Sequence, residues 1–298
     1  MKVRKAVIAV AGFGTRFLPA SKNVPKELMP IVDKPVIQYL VEEAVASGIR
    51  DIIFVVRPGT QVIADHFDSC RELEIHLEEN KKQDYLNAVQ SLPKLANFAV
   101  VRQARHLPYG NGTPILAAKE FIGKDEPFVF MFGDDLVLTS GDQPPSVKQL
   151  IDTFEKHQPG AVIGVQDVPR SEVNRYGIVK VKPGTDPMEM ESIVEKPAVD
   201  RAPSTLAQFG RFILTPKVIE ILDRKELGLG NELYLADAIH KLCQTDRVLV
   251  QRVAGQWLTV GDPLRHLITS VEYALRHPEI GPAFAEYLKG IDWSRRKV

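Results

Sequence analysis

The chain has 298 residues, 44% apolar and 26% charged, enough to bury one large core or two modest ones and too apolar for a disordered polypeptide. Its 38 basic and 38 acidic residues cancel, so no net field favours nucleic acid or an anionic membrane, and any phosphate site must be built locally. The two cysteines, Cys70 and Cys243, lie far apart and fit no CxxC or Cys/His spacing, which argues against a disulfide framework.

Met1 to Lys5 followed by an apolar run over 6–10 has the outline of a leader segment, but the run ends at Gly12. That is too short for a signal peptide or a membrane span, and no other apolar stretch approaches the roughly twenty residues a span needs. Neither end carries a lipidation motif. A cytoplasmic location is expected, with neither membrane nor nucleic acid as partner.

Short β-branched runs at 6–10, 52–56, 98–102 and 128–132 read as strands, and 36–46 reads as a helix. This alternation predicts an α/β fold with a doubly wound, mostly parallel (mixed) sheet, whose ligands sit beyond the carboxyl ends of the strands. The second half reads as strands over 161–166, 177–182, 191–194 and 209–214 between Pro- and Gly-rich turns, a smaller and more antiparallel part. Helical patterns follow at 233–242, 263–276 and 282–288 with a strand at 248–253, and Asn231 resembles a cap for the first of these helices.

The informative residues lie just after the first and the fifth of these elements in the first half. Strand 6–10 runs into Ala11-Gly12-Phe13-Gly14-Thr15-Arg16-Phe17-Leu18-Pro19, where glycine backbone can approach phosphate oxygens and Arg16 can add a bidentate grip. A Walker A loop would end in Lys-Ser/Thr. A dinucleotide fingerprint would have a third glycine and an acidic residue closing the second strand, where Val55-Val56-Arg57 stands. The run 128–132 delivers Gly133-Asp134-Asp135 to the same sheet edge, an oxygen donor for a hard cation such as Mg²⁺. Asp135 is expected to orient water or cap the following turn.

The glycine turn continues as Lys22-Asn23-Val24-Pro25-Lys26-Glu27-Leu28-Met29-Pro30 and Asp33-Lys34-Pro35-Val36-Ile37. Together these segments resemble the N-terminal signature of the sugar nucleotidyltransferases, in particular the bacterial UTP:glucose-1-phosphate uridylyltransferases. Further matches are Gln103, Asp134, Arg175-Tyr176-Gly177, Val194-Glu195-Lys196-Pro197, the segment 209–214 and the segment 232–239, so the resemblance runs from about Lys5 to about Leu288. It implies a Rossmann-like nucleotidyltransferase fold: a catalytic domain over 1–262, with a nucleotide-binding half to about 160 and a sugar-binding half from about 161, and a C-terminal helical extension over 263–298. It also implies formation of UDP-glucose and pyrophosphate from UTP and glucose 1-phosphate with Mg²⁺ as cofactor, in a homo-oligomer.

By the same resemblance, Arg16, Lys26 and Lys196 are the catalytic cations. Ala11, Gly12, Gly14, Thr15 and Glu27 hold the nucleotide, and Gln103 reads the base through an amide that donates and accepts. Gly177, Glu195 and Lys196 hold the sugar phosphate, and Asp134 holds the metal. Lys22 reads equally well as a surface lysine. Gly177 would let a pyranose ring lie against the backbone, and Gly110 and Gly112 would allow close approach of base or ribose.

Two segments depart from the family pattern. Relatives usually carry Gly-Leu-Gly-His-Ala where the loop 104–116 reads Tyr109-Gly110-Asn111-Gly112-Thr113-Pro114, and they commonly carry an Asp-x-Gly where this chain has Thr259-Val260-Gly261. The first leaves another base or sugar open. The second leaves open a catalytically impaired nucleotide-sugar sensor, or recruitment of Asp262 in place of the missing carboxylate. Direct transfer needs no Ser-His-Asp set, because a sugar phosphate is already an anionic nucleophile, and this sequence supplies cations instead.

Overall fold

Every side chain from Ala6 to Val10 is apolar, so this strand can satisfy its backbone only in the middle of a sheet covered on both faces. The computed structural model, which describes residues 1–292, places it there; residues 293–298 of the expected extension lie outside the described residues. The chain begins with β1 (Lys5–Val10), the short β2 (Pro30–Ile31) and β3 (Lys34–Pro35), α1 (Val36–Ala46) and β4 (Asp51–Val56). It continues through α2 (Val62–Asp65), α3 (Arg71–Glu79), α4 (Gln83–Ser91), β5 (Asn97–Arg102), α5 (Thr113–Ala118), β6 (Phe128–Phe132) and β7 (Asp135–Leu138). The second half comprises α6 (Ser146–His157), β8 (Ala161–Asp167), β9 (Gly177–Val181), β10 (Met190–Glu195), β11 (Leu206–Leu214) and α7 (Pro216–Asp223). It closes with α8 (Leu235–Leu242), β12 (Val248–Arg252), β13 (Gln256–Thr259), α9 (Pro263–Arg276) and α10 (Gly281–Lys289).

One nine-stranded mixed sheet organises these elements in the order β10-β9-β11-β6-β1-β4-β5, with β8 added to β11 and β12 to β8. Strands β6, β1, β4 and β5 pair in parallel, whereas β11 runs antiparallel to β6, β8 and β9. The strands expected from sequence form the two parts of a single sheet, parallel on the N-terminal side and largely antiparallel beyond β6. Helix α1 buries Ile37, Leu40, Val41 and Ala44, the i, i+3, i+4, i+7 stripe of an amphipathic helix, and ends where Gly48 takes φ 95°. Helix α6 buries the equivalent stripe Val147, Leu150, Ile151 and Phe154 against the sheet.

Beyond the main sheet, β7 and β13 make a two-stranded antiparallel ribbon whose register sets Thr259 opposite Asp135. Asn231 does not cap α8. It adopts φ 58° in a separate turn, and the cap is supplied from a distance, Asn111 Oδ1 accepting from the Leu235 backbone N–H at 2.8 Å. The same crossing is stitched by Leu233 N donating to Tyr109 O and Gly112 N donating to Leu233 O, at 2.7 and 2.9 Å.

The most deeply buried charge is Arg211 on β11, which is fully shielded from solvent. Its Nε and Nη2 donate to the two carboxylate oxygens of Glu43 on α1 at 3.0 and 2.5 Å, and its remaining donors reach Gly210 O and Asp135 O at 2.8 and 2.9 Å. Glu43 Oε1 also accepts from Ser146 Oγ and, at 3.1 Å, from Val147 N, two donors at the otherwise unsatisfied N-terminus of α6. A single ion pair therefore joins α1, α6, β11 and the turn into β7. Glu43→Ala leaves the guanidinium buried without a counter-charge and is expected to cost roughly 3 to 5 kcal/mol in urea unfolding. The double variant Glu43→Ala/Arg211→Met should recover part of that loss, and a cost below about 1 kcal/mol for Glu43→Ala would show that the pair does not hold these elements together.

Candidate functional site

Two cavities open side by side at the carboxyl ends of β1 and β6. The first, of about 380 Å³, is lined by Tyr176, Gly177, Glu195, Gln208 and Trp257. The second, of about 390 Å³, is lined by Ala11, Gly12, Lys26, Glu27, Gln103, Tyr109 and Gly110. Arg16, Asn111, Phe132, Asp134 and Lys196 line both, so three charged side chains stand where the cavities meet.

The sheet positions these groups directly. Gly133 follows β6 so closely against β1 that a Cβ there would stand 2.7 Å from Ala9 O, and its own N–H donates to that oxygen at 3.1 Å. Asp134 emerges immediately afterwards, and Lys26 Nζ donates to its Oδ2 at 2.5 Å. Burial alone pushes the Asp134 carboxyl up, but Lys26 and Arg16 together hold it below the usual carboxylate range. Burial likewise lowers the Lys26 ammonium, and Asp134 and Glu27 more than offset this, so it stays charged. Arg16 is anchored by Nη1 donating to Gly261 O at 3.3 Å. Lys196 reaches the junction from a strained φ of 44°, its Nζ 3.6 Å from Glu195 Oε1 and 5.4 Å from the centre of the Tyr234 ring.

Several residues sit otherwise than their sequence suggests. Asp135 neither caps a turn nor faces water: it is buried, Oδ1 accepting from Trp257 Nε1 and Oδ2 from Gly210 N, at 2.8 and 2.9 Å. Burial first, and then the neighbouring Asp134 charge, raise its carboxyl to about 6. Gly177 lines the first cavity, as expected of it, and also makes room for a neighbour, since a Cβ there would stand 2.5 Å from Gln208 Nε2. Gly112 packs on Leu222 and Leu233, and Gly14, Thr15 and Gly112 all lie outside the residues that line the two cavities. Lys22 is a surface lysine. Asp262 caps α9 through Arg265 N at 3.0 Å and pairs with Arg265 and Arg175, which commits its carboxylate at the rim of the first cavity. Thr259 Oγ1 donates to the backbone carbonyl of Asp134 at 3.2 Å and accepts from Gly261 N at 3.3 Å, so its hydroxyl is tied to the backbone of the residue that carries the predicted metal-binding carboxylate.

Sequence reasoning passed over Asn111, Phe132, Gln208 and Trp257, all of which line the first cavity. Gln208 was the one with a readable signal, a lone amide in a strand otherwise apolar except for Arg211. Among the described residues no cluster of three or more His, Cys, Asp and Glu is placed to hold a metal unaided. No helix among them is long and apolar enough to cross a membrane.

Two joined cavities beyond the strand ends, with cations and one ionised carboxylate at their junction, define a protein that brings two phosphorylated ligands together. The chain belongs to the nucleotidyl transferase family, which it matches over residues 5–273. It is 46% identical over 290 residues to a UTP--glucose-1-phosphate uridylyltransferase of Streptococcus pneumoniae, covering 96% of this chain and 95% of that one. Among solved structures, a UTP-bound UGPase from Acinetobacter baumannii superposes with a TM-score of 0.87 at 36% identity, covering 97% of this chain and 100% of the other. A UDP-glucose pyrophosphorylase complexed with UDP-glucose gives 0.83 at 32% identity, covering 92% and 100%.

Glu27, 2% exposed, closes the floor of the second cavity with Oε2 unpaired. Burial raises its carboxyl to about 7 against the partial opposition of Lys26 and Arg57. An acid raised in the folded state contributes stability that is whole below its unfolded value near 4.5 and is lost as the pH climbs to about 7. Relative to Glu27→Gln, which does not titrate, the ligand-free wild type should therefore lose up to roughly 3 kcal/mol between pH 4.5 and pH 7.5 in urea unfolding. Parallel pH dependences for the two proteins would place the Glu27 carboxyl in the ordinary range.

Proposed function

We propose that this chain transfers the uridylyl group of UTP to glucose 1-phosphate, giving UDP-glucose and pyrophosphate. The observation that carries this reading is the sharing of Arg16, Asp134 and Lys196 by both cavities. A nucleotide in the second cavity and a sugar phosphate in the first would present the α-phosphorus and the attacking oxygen to one another at those residues. The names of the relatives and the UTP and UDP-glucose bound in similar structures agree with that pair of substrates.

Each role falls to a residue with suitable surroundings. Ala11, Gly12 and Glu27 take the nucleoside, and Gln103, whose backbone N donates to Val56 O at 2.9 Å, offers its side-chain amide to the base edge. Arg16 and Lys26 balance the triphosphate and the departing pyrophosphate, Lys196 holds the acceptor phosphate, and Glu195 accepts from sugar hydroxyls. The acceptor arrives as an anion, so no base is required and positioning supplies most of the rate. In this division residues 1–160 carry the nucleotide and 161–262 the sugar, and the remainder is a C-terminal extension whose described part holds α9 and α10, within a cytoplasmic homo-oligomer.

The junction suits Mg²⁺. Asp134 is ionised and its carboxylate already faces a cation, the Lys26 ammonium. Mg²⁺ is usually held by one or two carboxylates together with substrate phosphates and water, which this donor set matches. When bound there, the ion would add positive charge to the phosphate oxygens of the substrates.

Pyrophosphate release measured over a grid of nucleoside triphosphates and sugar 1-phosphates, with and without Mg²⁺, tests the assignment. The expected result is highest kcat/KM for UTP with glucose 1-phosphate and no turnover without the ion. Asp134→Asn should lower kcat roughly a hundredfold or more with the fold intact. A preference for another base or sugar would redirect the reading within the family, and no turnover for any pair would favour a sensor.

A further inference from the structure

The first cavity contains two buried side-chain oxygens without a partner, Glu195 Oε2 and Gln208 Oε1. Glu195 already belongs to the proposed sugar site, but Gln208 has been given no part in it. It is 5% exposed on β11, where every neighbour on the strand is buried, and neither end of its amide hydrogen-bonds to another described residue. Arg211, the other polar side chain of that strand, satisfies its donors on Glu43, Gly210 and Asp135.

Buried amides are almost always paired, and an unpaired one destabilises the empty protein. Room for this one is kept deliberately open, because any side chain at Gly177 would collide with Gln208 Nε2. An apolar residue on β11 would fill the same space without an unpaired group. The amide is matched only when something in the cavity pairs with it. The candidates among the proposed substrates are the ring hydroxyls of the sugar, which donate and accept as the amide does.

Resting on the function proposed above, we propose that Gln208 is a specificity-determining residue that hydrogen-bonds one hydroxyl of the acceptor sugar. A site with a buried polar group discriminates strongly against a ligand lacking its partner, since the group is then left unpaired in the complex. Glu195 and Gln208 therefore read different hydroxyls, and removal of one reader should relax selection at one ring position only.

The test combines a change in the protein with a change in the sugar, a cycle that isolates the pairwise contact. kcat/KM is measured for wild type, Gln208→Met and Gln208→Asn with glucose 1-phosphate and with each of its monodeoxy analogues. Gln208→Met keeps the length of the side chain without its polar end, and Gln208→Asn withdraws the amide while keeping its polarity, which serves if the first variant does not fold. Both should use glucose 1-phosphate about ten- to a hundredfold less well than wild type. For one deoxy analogue, already poor with wild type, the variants should lose nothing more, and the KM for UTP should not move. Equal losses on every analogue, or a matching loss of UTP use, would make Gln208 merely structural and overturn the inference alone. A wild type that neither turns over nor binds any sugar 1-phosphate would overturn the proposed function and this inference together.

Discussion

The Glu43–Arg211 pair is the constraint on which the rest of the structure depends. A guanidinium shut away from water must have its donors matched, and here the acceptors are Glu43 on α1, Gly210 on β11 and Asp135 at the start of β7. One of them is the backbone of Asp135, whose side chain is then held by Trp257 and Gly210. Asp134 is the next residue back along the chain. Its direction is consequently set by buried bonds on its neighbour, and its own carboxylate meets Lys26 at the cavities. Thr259, opposite Asp135 in the ribbon, is placed by the same arrangement.

Local electrostatics follow from that placement. The chain has no net charge, yet Arg16, Lys26 and Lys196 gather round one ionised carboxylate at the junction of two cavities. On the proposed reading this is what direct transfer between two anions requires: neutralising charge at the point of attack and no nucleophile from the protein. Burial raises the carboxyls nearby, Glu27 to about 7 and Asp135 to about 6, so both hold their protons to higher pH than ordinary carboxylates. Asn111 links the two sides mechanically, since it lines both cavities and caps α8 from the loop of the nucleotide side.

Much of the fold was legible because buried strands of a two-sided sheet are unbroken apolar runs; 6–10 and 128–132 could be little else. Helices α3 and α4 were not, because each buries only one leucine, Leu77 or Leu86, and neither presents a clear apolar stripe. The ribbon of β7 and β13 joins segments more than a hundred residues apart, a pairing that local pattern does not encode. At the site, charged residues within contiguous motifs could be named from sequence, and Asp134, Glu195 and Lys196 do converge on the first cavity. The glycines were harder. Gly112 and Gly177 make room for Leu222 and Gln208, and no property of a glycine in a sequence says which neighbour requires its missing Cβ. Arg211 and Gln208 stood in plain view on β11 as polar residues in an apolar strand. Their meaning appeared only with their partners, three for one and none for the other.

The claim most in need of measurement is that the two substrates react directly across the shared junction, without a covalent intermediate on the protein. UTP carrying a single sulfur of known configuration on its α-phosphate tests this. Turned over with glucose 1-phosphate, it should give a UDP-glucose thiophosphate inverted at phosphorus, as one in-line displacement requires. Retention of configuration would mean two successive displacements through a nucleotidylated side chain. That result would contradict direct transfer, and with it the reading of Arg16, Asp134 and Lys196 as the place where the two substrates meet.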